Sequence, residues 1–129
     1  MMKKTLLLVV GAVLMVFAVS CAKATTYEVS NASSYDFYDV VCNEYLGTAV
    51  VNNALVGFVA SKSSSGPLDA SKGANKVQVA FKFLPNGDVY TTVEYYSITR
   101  GEHTKIVLDD ETQIYGDSKV TTTIREARK

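Results

Sequence analysis

The stretch from Lys76 to Ile98 constrains this chain more than any other. It reads KVQVAFKF, then LPNGD, then VYTTVEYYSI, an alternating run reflected about a turn. Val77, Val79, Phe81 and Phe83 fall on one side, separated by Gln78, Ala80 and Lys82. Successive side chains of a strand point to opposite faces, so a period of two predicts a half-buried strand. The whole run predicts a hairpin. A two-residue Asn86-Gly87 loop would set Phe83 opposite Tyr90 and mix the faces. A three-residue loop, Pro85-Asn86-Gly87, sets Phe83 opposite Val89, Phe81 opposite Thr91, Val79 opposite Val93 and Val77 opposite Tyr95. That register keeps one face apolar, and a slip of one residue would turn every side chain over. Pro85 is expected to preset the first corner and Gly87 to take a left-handed conformation. The outer face then pairs Lys82 with Tyr90 and Lys76 with Tyr96.

A lone two-stranded hairpin is marginal in water, so its apolar face needs a second layer. Other strand signals supply one. Tyr27–Val29 predicts a first strand, Asp36–Glu44 a central one, Thr104–Leu108 a short one with Ile106 and Leu108 inward, and Val120–Arg125 a threonine-rich closing strand. Between Tyr45 and Ser61, Leu46, Val50, Ala54 and Phe58 recur at helical spacing, but Gly47 and Gly57 oppose a helix. Ala49-Val50-Val51 mirrors Ala54-Leu55-Val56 about Asn52-Asn53, which predicts a hairpin turning there. Ser61–Asn75, rich in serine and glycine, reads as an exposed loop. Seven or eight short strands predict an all-β fold, an antiparallel two-sheet sandwich of immunoglobulin-like or transthyretin-like type, with a small β-barrel as the alternative. The chain has no Trp, so the immunoglobulin Cys–Trp–Cys core pattern is missing.

The N-terminus carries a different signal. Lys3 and Lys4 precede an apolar run from Leu6 to Val19, followed by small residues, the pattern of a secretory signal over residues 1–20. The run is too short to span a bilayer comfortably. Next comes Phe17-Ala18-Val19-Ser20-Cys21, which resembles the lipobox of bacterial lipoproteins, although Ala18 stands where leucine is usual. The resemblance covers only the signal. It implies lipidation of Cys21, a tether over 21–26, and, with Ala22 rather than Asp after the cysteine, delivery to the outer membrane. Ala22-Lys23-Ala24 is a competing cleavage site that would release a soluble periplasmic or secreted protein starting at Thr25. If Cys21 is lipidated, Cys42 has no partner within the chain; if it is not, a Cys21–Cys42 disulfide is open. Among its apolar neighbours Cys42 reads as a small buried hydrophobe. Residues 27–129 then form one β-sandwich domain.

Little in the chain points to catalysis. Its 13 basic and 13 acidic residues balance, and removal of residues 1–20 takes two lysines and leaves a net charge of −2. That provides no electrostatic footprint for nucleic acid. The one histidine, His103, sits in an expected turn. There is no nucleophile elbow, no set of Cys and His ligands for structural zinc and no phosphate-cradling loop. Asp109, Asp110, Glu111 and Asp117 match no calcium-loop spacing. The expectation is a module that is not an enzyme, without cofactor or metal. It is tethered to the membrane by lipid and meets an envelope glycan or protein through Tyr90, Tyr96, Lys76 and Lys82 on an exposed sheet face. A secreted enzyme inhibitor or a small hydrolase is the alternative.

Overall fold

The computed structural model describes residues 23–129; the signal-like segment 1–20 and Cys21 lie outside the described residues. The strands are β1 (Thr26–Asn31), β2 (Phe37–Leu46), β3 (Ala49–Val59), β4 (Ser63–Ser64), β5 (Leu68–Asp69), β6 (Lys76–Lys82), β7 (Val89–Thr92), β8 (Tyr96–Ser97), β9 (His103–Leu108), β10 (Gln113–Tyr115) and β11 (Thr121–Thr123), followed by a helical turn α1 (Ile124–Arg128). They form two sheets, mostly antiparallel, packed face to face, with no closed barrel. In the smaller sheet β1 is central, with β4 and β5 on one side and β9 on the other. The β1–β9 pair runs parallel, from Thr26 opposite His103 to Asn31 opposite Leu108, a departure from an all-antiparallel sandwich. The larger sheet runs β11-β10-β7-β6-β2-β3, with β8 continuing along β6 beyond the end of β7.

The core lies between the sheets. Val77, Val79, Phe81 and Phe83 are buried, as their alternation requires, and Ile106 and Leu108 meet them from β9. Phe37 of β2 stacks on Phe81 with ring centroids 4.1 Å apart, and Phe83 stands edge-on to both. Each such side chain contributes roughly 1.5–3 kcal/mol by leaving water. Ile124 of α1 is fully buried and closes one end, so the last expected strand stops at Thr123, whose hydroxyl caps the helical turn by accepting from the Glu126 amide.

The turn of the β6–β7 hairpin is where proline places it, but the register differs. Leu84 O accepts from Gly87 N at 2.9 Å, with Pro85 and Asn86 at the corners. Gly87 is not left-handed; it is small because a Cβ there would meet the Leu84 carbonyl oxygen at 3.3 Å. Phe81 pairs with Tyr90 and Lys82 with Val89, one residue from expectation, leaving Phe83–Asp88 as a six-residue connection. At the other end Val77 pairs with Tyr96 rather than Tyr95, one residue off in the opposite sense.

The cause is Thr92. Its buried hydroxyl accepts from the Val79 amide at 3.1 Å and donates to the Glu94 carbonyl at 3.1 Å, so a side chain takes a backbone place in the ladder. The strand breaks over Val93–Tyr95, and the two extra residues shift the pairing by two while leaving the alternation of faces unchanged.

The Asn52-Asn53 hairpin is also corrected: β3 is one strand of eleven residues running straight through the two asparagines. The chain turns at Gly47-Thr48 instead, between the paired Leu46 and Ala49. Gly47 has φ +64°, the positive value that the first corner of a type II′ hairpin requires. The Ser61–Asn75 stretch is mostly loop but contributes β4 and β5 as short edge strands to β1.

Candidate binding face

The outer face of the larger sheet carries a cluster that the pairing of β2, β6, β7 and β10 assembles. Asn43 and Tyr45 of β2 pair with Gln78 and Lys76 of β6, so these four share that face. Alternation puts Tyr95 on it as well, where its ring meets Tyr45 edge-on at 5.2 Å. Tyr115 of β10 arrives beside Thr91 of β7. Gln78, although on the outer side of the sheet, is almost fully buried beneath these rings. Its amide nitrogen donates to the Thr92 carbonyl at 2.9 Å and its oxygen accepts from the Tyr45 hydroxyl at 3.1 Å. Satisfying both ends of the amide removes the penalty for burying it. Burial, followed by the neighbouring Tyr95, pushes the Tyr45 phenol above its ordinary pKa. Lys119 lies over the Tyr115 ring at 5.3 Å, and Asn53 donates to Asn43 at 2.5 Å further along the face. The result is a set of tyrosine rings and amides held by one another, with Tyr95 48% exposed.

The residues expected on this face divide. Lys76 and Lys82 lie on it, but Tyr90 and Tyr96 do not. Tyr90 shares the face of Phe81 and packs on Phe83 at 5.3 Å between ring centroids. Tyr96 shares the face of Val77, and burial pushes its phenol up to about 12. Lys82 stands opposite Tyr38 and pairs with Asp39 at 3.1 Å. Tyr45, Tyr95 and Tyr115 are the tyrosines that sequence reasoning missed.

A second missed group is Glu44, fully buried on β2 between the sheets. Its carboxylate accepts from the Tyr27 hydroxyl of β1 at 2.6 Å and from the Ser71 amide at 2.7 Å. A buried carboxylate without such donors would cost far more than the fold could spare. The contact ties both sheets to the 69–75 loop, which with Ala24, Thr25, Ile98 and Arg100 walls a cleft of about 660 Å³. Burial, then the Glu44 hydrogen bond, drives the Tyr27 phenol well above its ordinary range, while burial pushes the Cys42 thiol up to about 12 and leaves it protonated and inert near neutral pH.

His103 begins β9 rather than sitting in a turn. Thr26 Oγ1 lies 2.8 Å from its Nδ1 and Glu28 Oε1 lies 2.9 Å from its Nε2, on the exposed face of the smaller sheet. Ser64 also donates to the Glu28 carboxylate; this bond, then His103, holds that carboxyl below its ordinary pKa. The acidic residues near the C-terminus serve as ties: Asp110 holds the Ser34 amide and hydroxyl at 2.8 Å each and, with Glu111, pairs with Arg125. No cluster of three His, Cys, Asp or Glu able to hold a metal is found among the described residues.

No family model and no curated protein matches the chain. A solved structure, the NMR structure of a protein from Eubacterium rectale, is similar in fold at 15% identity, covering 74% of this chain and 89% of that one with a TM-score of 0.53. At that identity the likeness concerns the fold alone.

Replacing Tyr27 with Phe tests the inter-sheet tie. The variant leaves one carboxylate oxygen of Glu44 without its donor and should cost about 1–3 kcal/mol in a denaturant melt. An unchanged midpoint would mean that water already solvates the carboxylate.

Proposed function

We propose that this protein is a non-catalytic binding module of a bacterial cell envelope, held to the membrane by lipid on Cys21. In this reading it recognises an envelope glycan or a protein partner through the outer face of its larger sheet. The observation that carries the reading is the tyrosine and amide cluster around Gln78. Flat rings with hydroxyl handles suit contact with sugars and with protein surfaces. These rings are already fixed by mutual packing and hydrogen bonds, so little side-chain freedom is lost on binding.

The anchor rests on Ser20-Cys21 after an apolar signal. Several acyl chains hold far more firmly than one, at about 0.8 kcal/mol per buried CH₂. The mature protein should start at an acylated Cys21, with Ala22 permitting residence in the outer membrane. Intact mass decides this; an unmodified chain starting at Thr25 would give a soluble periplasmic or secreted protein instead.

One observation favours the hydrolase alternative. Thr26, His103 and Glu28 stand in the order of hydroxyl, base and carboxylate, the grouping that activates a hydroxyl nucleophile. The same two bonds also follow from the parallel pairing of β1 and β9, which sets Thr26 directly opposite His103 and Lys105 opposite Glu28. One set of variants separates the readings. Tyr45→Ser with Tyr95→Ser should keep the fold and abolish capture of envelope polysaccharide or a partner protein, while His103→Ala should leave capture intact. The reverse pattern, with loss only in His103→Ala, would favour the hydrolase. Tyr90→Ser with Tyr96→Ser should instead lower stability, because both rings pack on the core.

A further inference from the structure

Among the described residues, β3 gathers several exposed apolar side chains on one element. Leu55 is 84% exposed, Phe58 56% and Val50 52%, with Val51 beside them. β3 ends the larger sheet and pairs only with β2, so its other edge presents unpaired backbone N–H and C=O groups. Sheet edges are normally protected by shortness, by charge, by proline or by bulges. β3 has eleven residues, AVVNNALVGFV, without a charged residue or proline, and bulges only at Val51 and Val56, which its pairing with β2 skips. The smaller sheet, three strands wide, does not provide a strand to cover it.

We propose that β3 pairs antiparallel with β3 of a second copy of this chain, joining two larger sheets edge to edge about a two-fold axis. Three features select a second copy as the occupant. The first is the outward-facing pattern Val51, Asn53, Leu55, an asparagine with an apolar residue on each side. Run antiparallel against itself about Asn53, it sets asparagine against asparagine and Leu55 against Val51. The second is charge: two identical strands bearing no charge meet without the like-charge opposition that a two-fold axis otherwise imposes. The third is geometry. A strand and its two-fold mate keep outer face beside outer face only when a residue pairs with itself or with one an even number of positions away. Asn53 opposite Asn53 satisfies this. It sets Leu55 beside Val51 of the second copy on the outer face, and Asn52 beside Ala54 on the inner.

With Asn53 on the axis the strands overlap over Ala49–Gly57, roughly 31 Å at about 3.4 Å per residue. Such an edge contact is smaller than the ~1,200 Å² at which stable specific interfaces begin. A concentration-dependent dimer follows rather than a permanent one. Pairing would also make one continuous sheet whose outer side carries two tyrosine clusters, and attachment of both to one ligand would raise avidity. That consequence rests on the binding reading above; the dimer does not.

Sedimentation velocity on protein purified from cells expressing the full chain, over rising concentration, is the test. A monomer–dimer equilibrium is expected. Leu55→Lys and Asn53→Lys should each raise its dissociation constant roughly ten-fold or more, since each places two cations in the paired strip. Val107→Lys, on the outer face of the smaller sheet, should leave it unchanged. A short thiol cross-linker should join Asn53→Cys chains and fail with Val107→Cys chains. A monomer at every concentration, or a dimer indifferent to Leu55→Lys and to Asn53→Lys, would overturn the proposal. Tyr45→Ser with Tyr95→Ser should leave the dimer intact, so the two readings can fail separately.

Discussion

The larger sheet depends on Thr92 standing in for a backbone group. Its hydroxyl satisfies the Val79 amide that a neighbouring carbonyl would otherwise serve, and the strand opposite β6 stops there. The break allows the Gln78 side chain to reach the Thr92 carbonyl, so a polar residue on the outer side of the sheet is buried without penalty. Tyr95 faces outward and Tyr96 inward because Tyr96 stands an even number of residues beyond the inward Tyr90, so the offset of one residue from the expected pairing decides which rings are available to a partner.

How far a sequence reveals its structure varies here with the kind of interaction. The inward set Val77, Val79, Phe81 and Phe83 was legible because burial acts residue by residue and a strand has a strict period of two. So were Ile106 and Leu108, and the corner at Pro85, because proline's φ is fixed. The pairing register was not legible, because it depends on one hydroxyl competing with the backbone, and alternation alone does not reveal that. The expected apolar partners Val89, Val93 and Tyr95 are in fact the exposed ones. Asn52-Asn53 looked like a turn on asparagine chemistry, yet Gly47 a few residues earlier supplies the positive φ at lower cost. Glu44 shows the same limit for charge: nothing in NEYL announces a buried carboxylate until Tyr27 and Ser71 are brought to it.

The two sheets differ in width, and that difference shapes the surface. The three-strand layer covers the middle of the larger sheet and concentrates the aromatic stack of Phe37, Phe81 and Phe83 there. Toward β11 the larger sheet is closed by the buried Ile124 and by the Asp110 and Glu111 contacts with Arg125. Toward β3 it has no comparable closure, and the exposed apolar side chains gather on that side. The polar face with His103 and Glu28 belongs to the smaller sheet and is accounted for by cross-strand pairing. The aromatic face is held by contacts among its own side chains, which is why recognition is assigned to it.

Backbone NOEs across β6 test the account most directly, because the exposed tyrosines follow from this one register. Phe81 should face Tyr90, Val77 should face Tyr96, and the Val79 amide should lie against the Thr92 side chain. NOEs placing Phe81 opposite Thr91 and Val77 opposite Tyr95 would restore an unbroken hairpin, return Tyr90 and Tyr96 to the surface, and contradict the face described here.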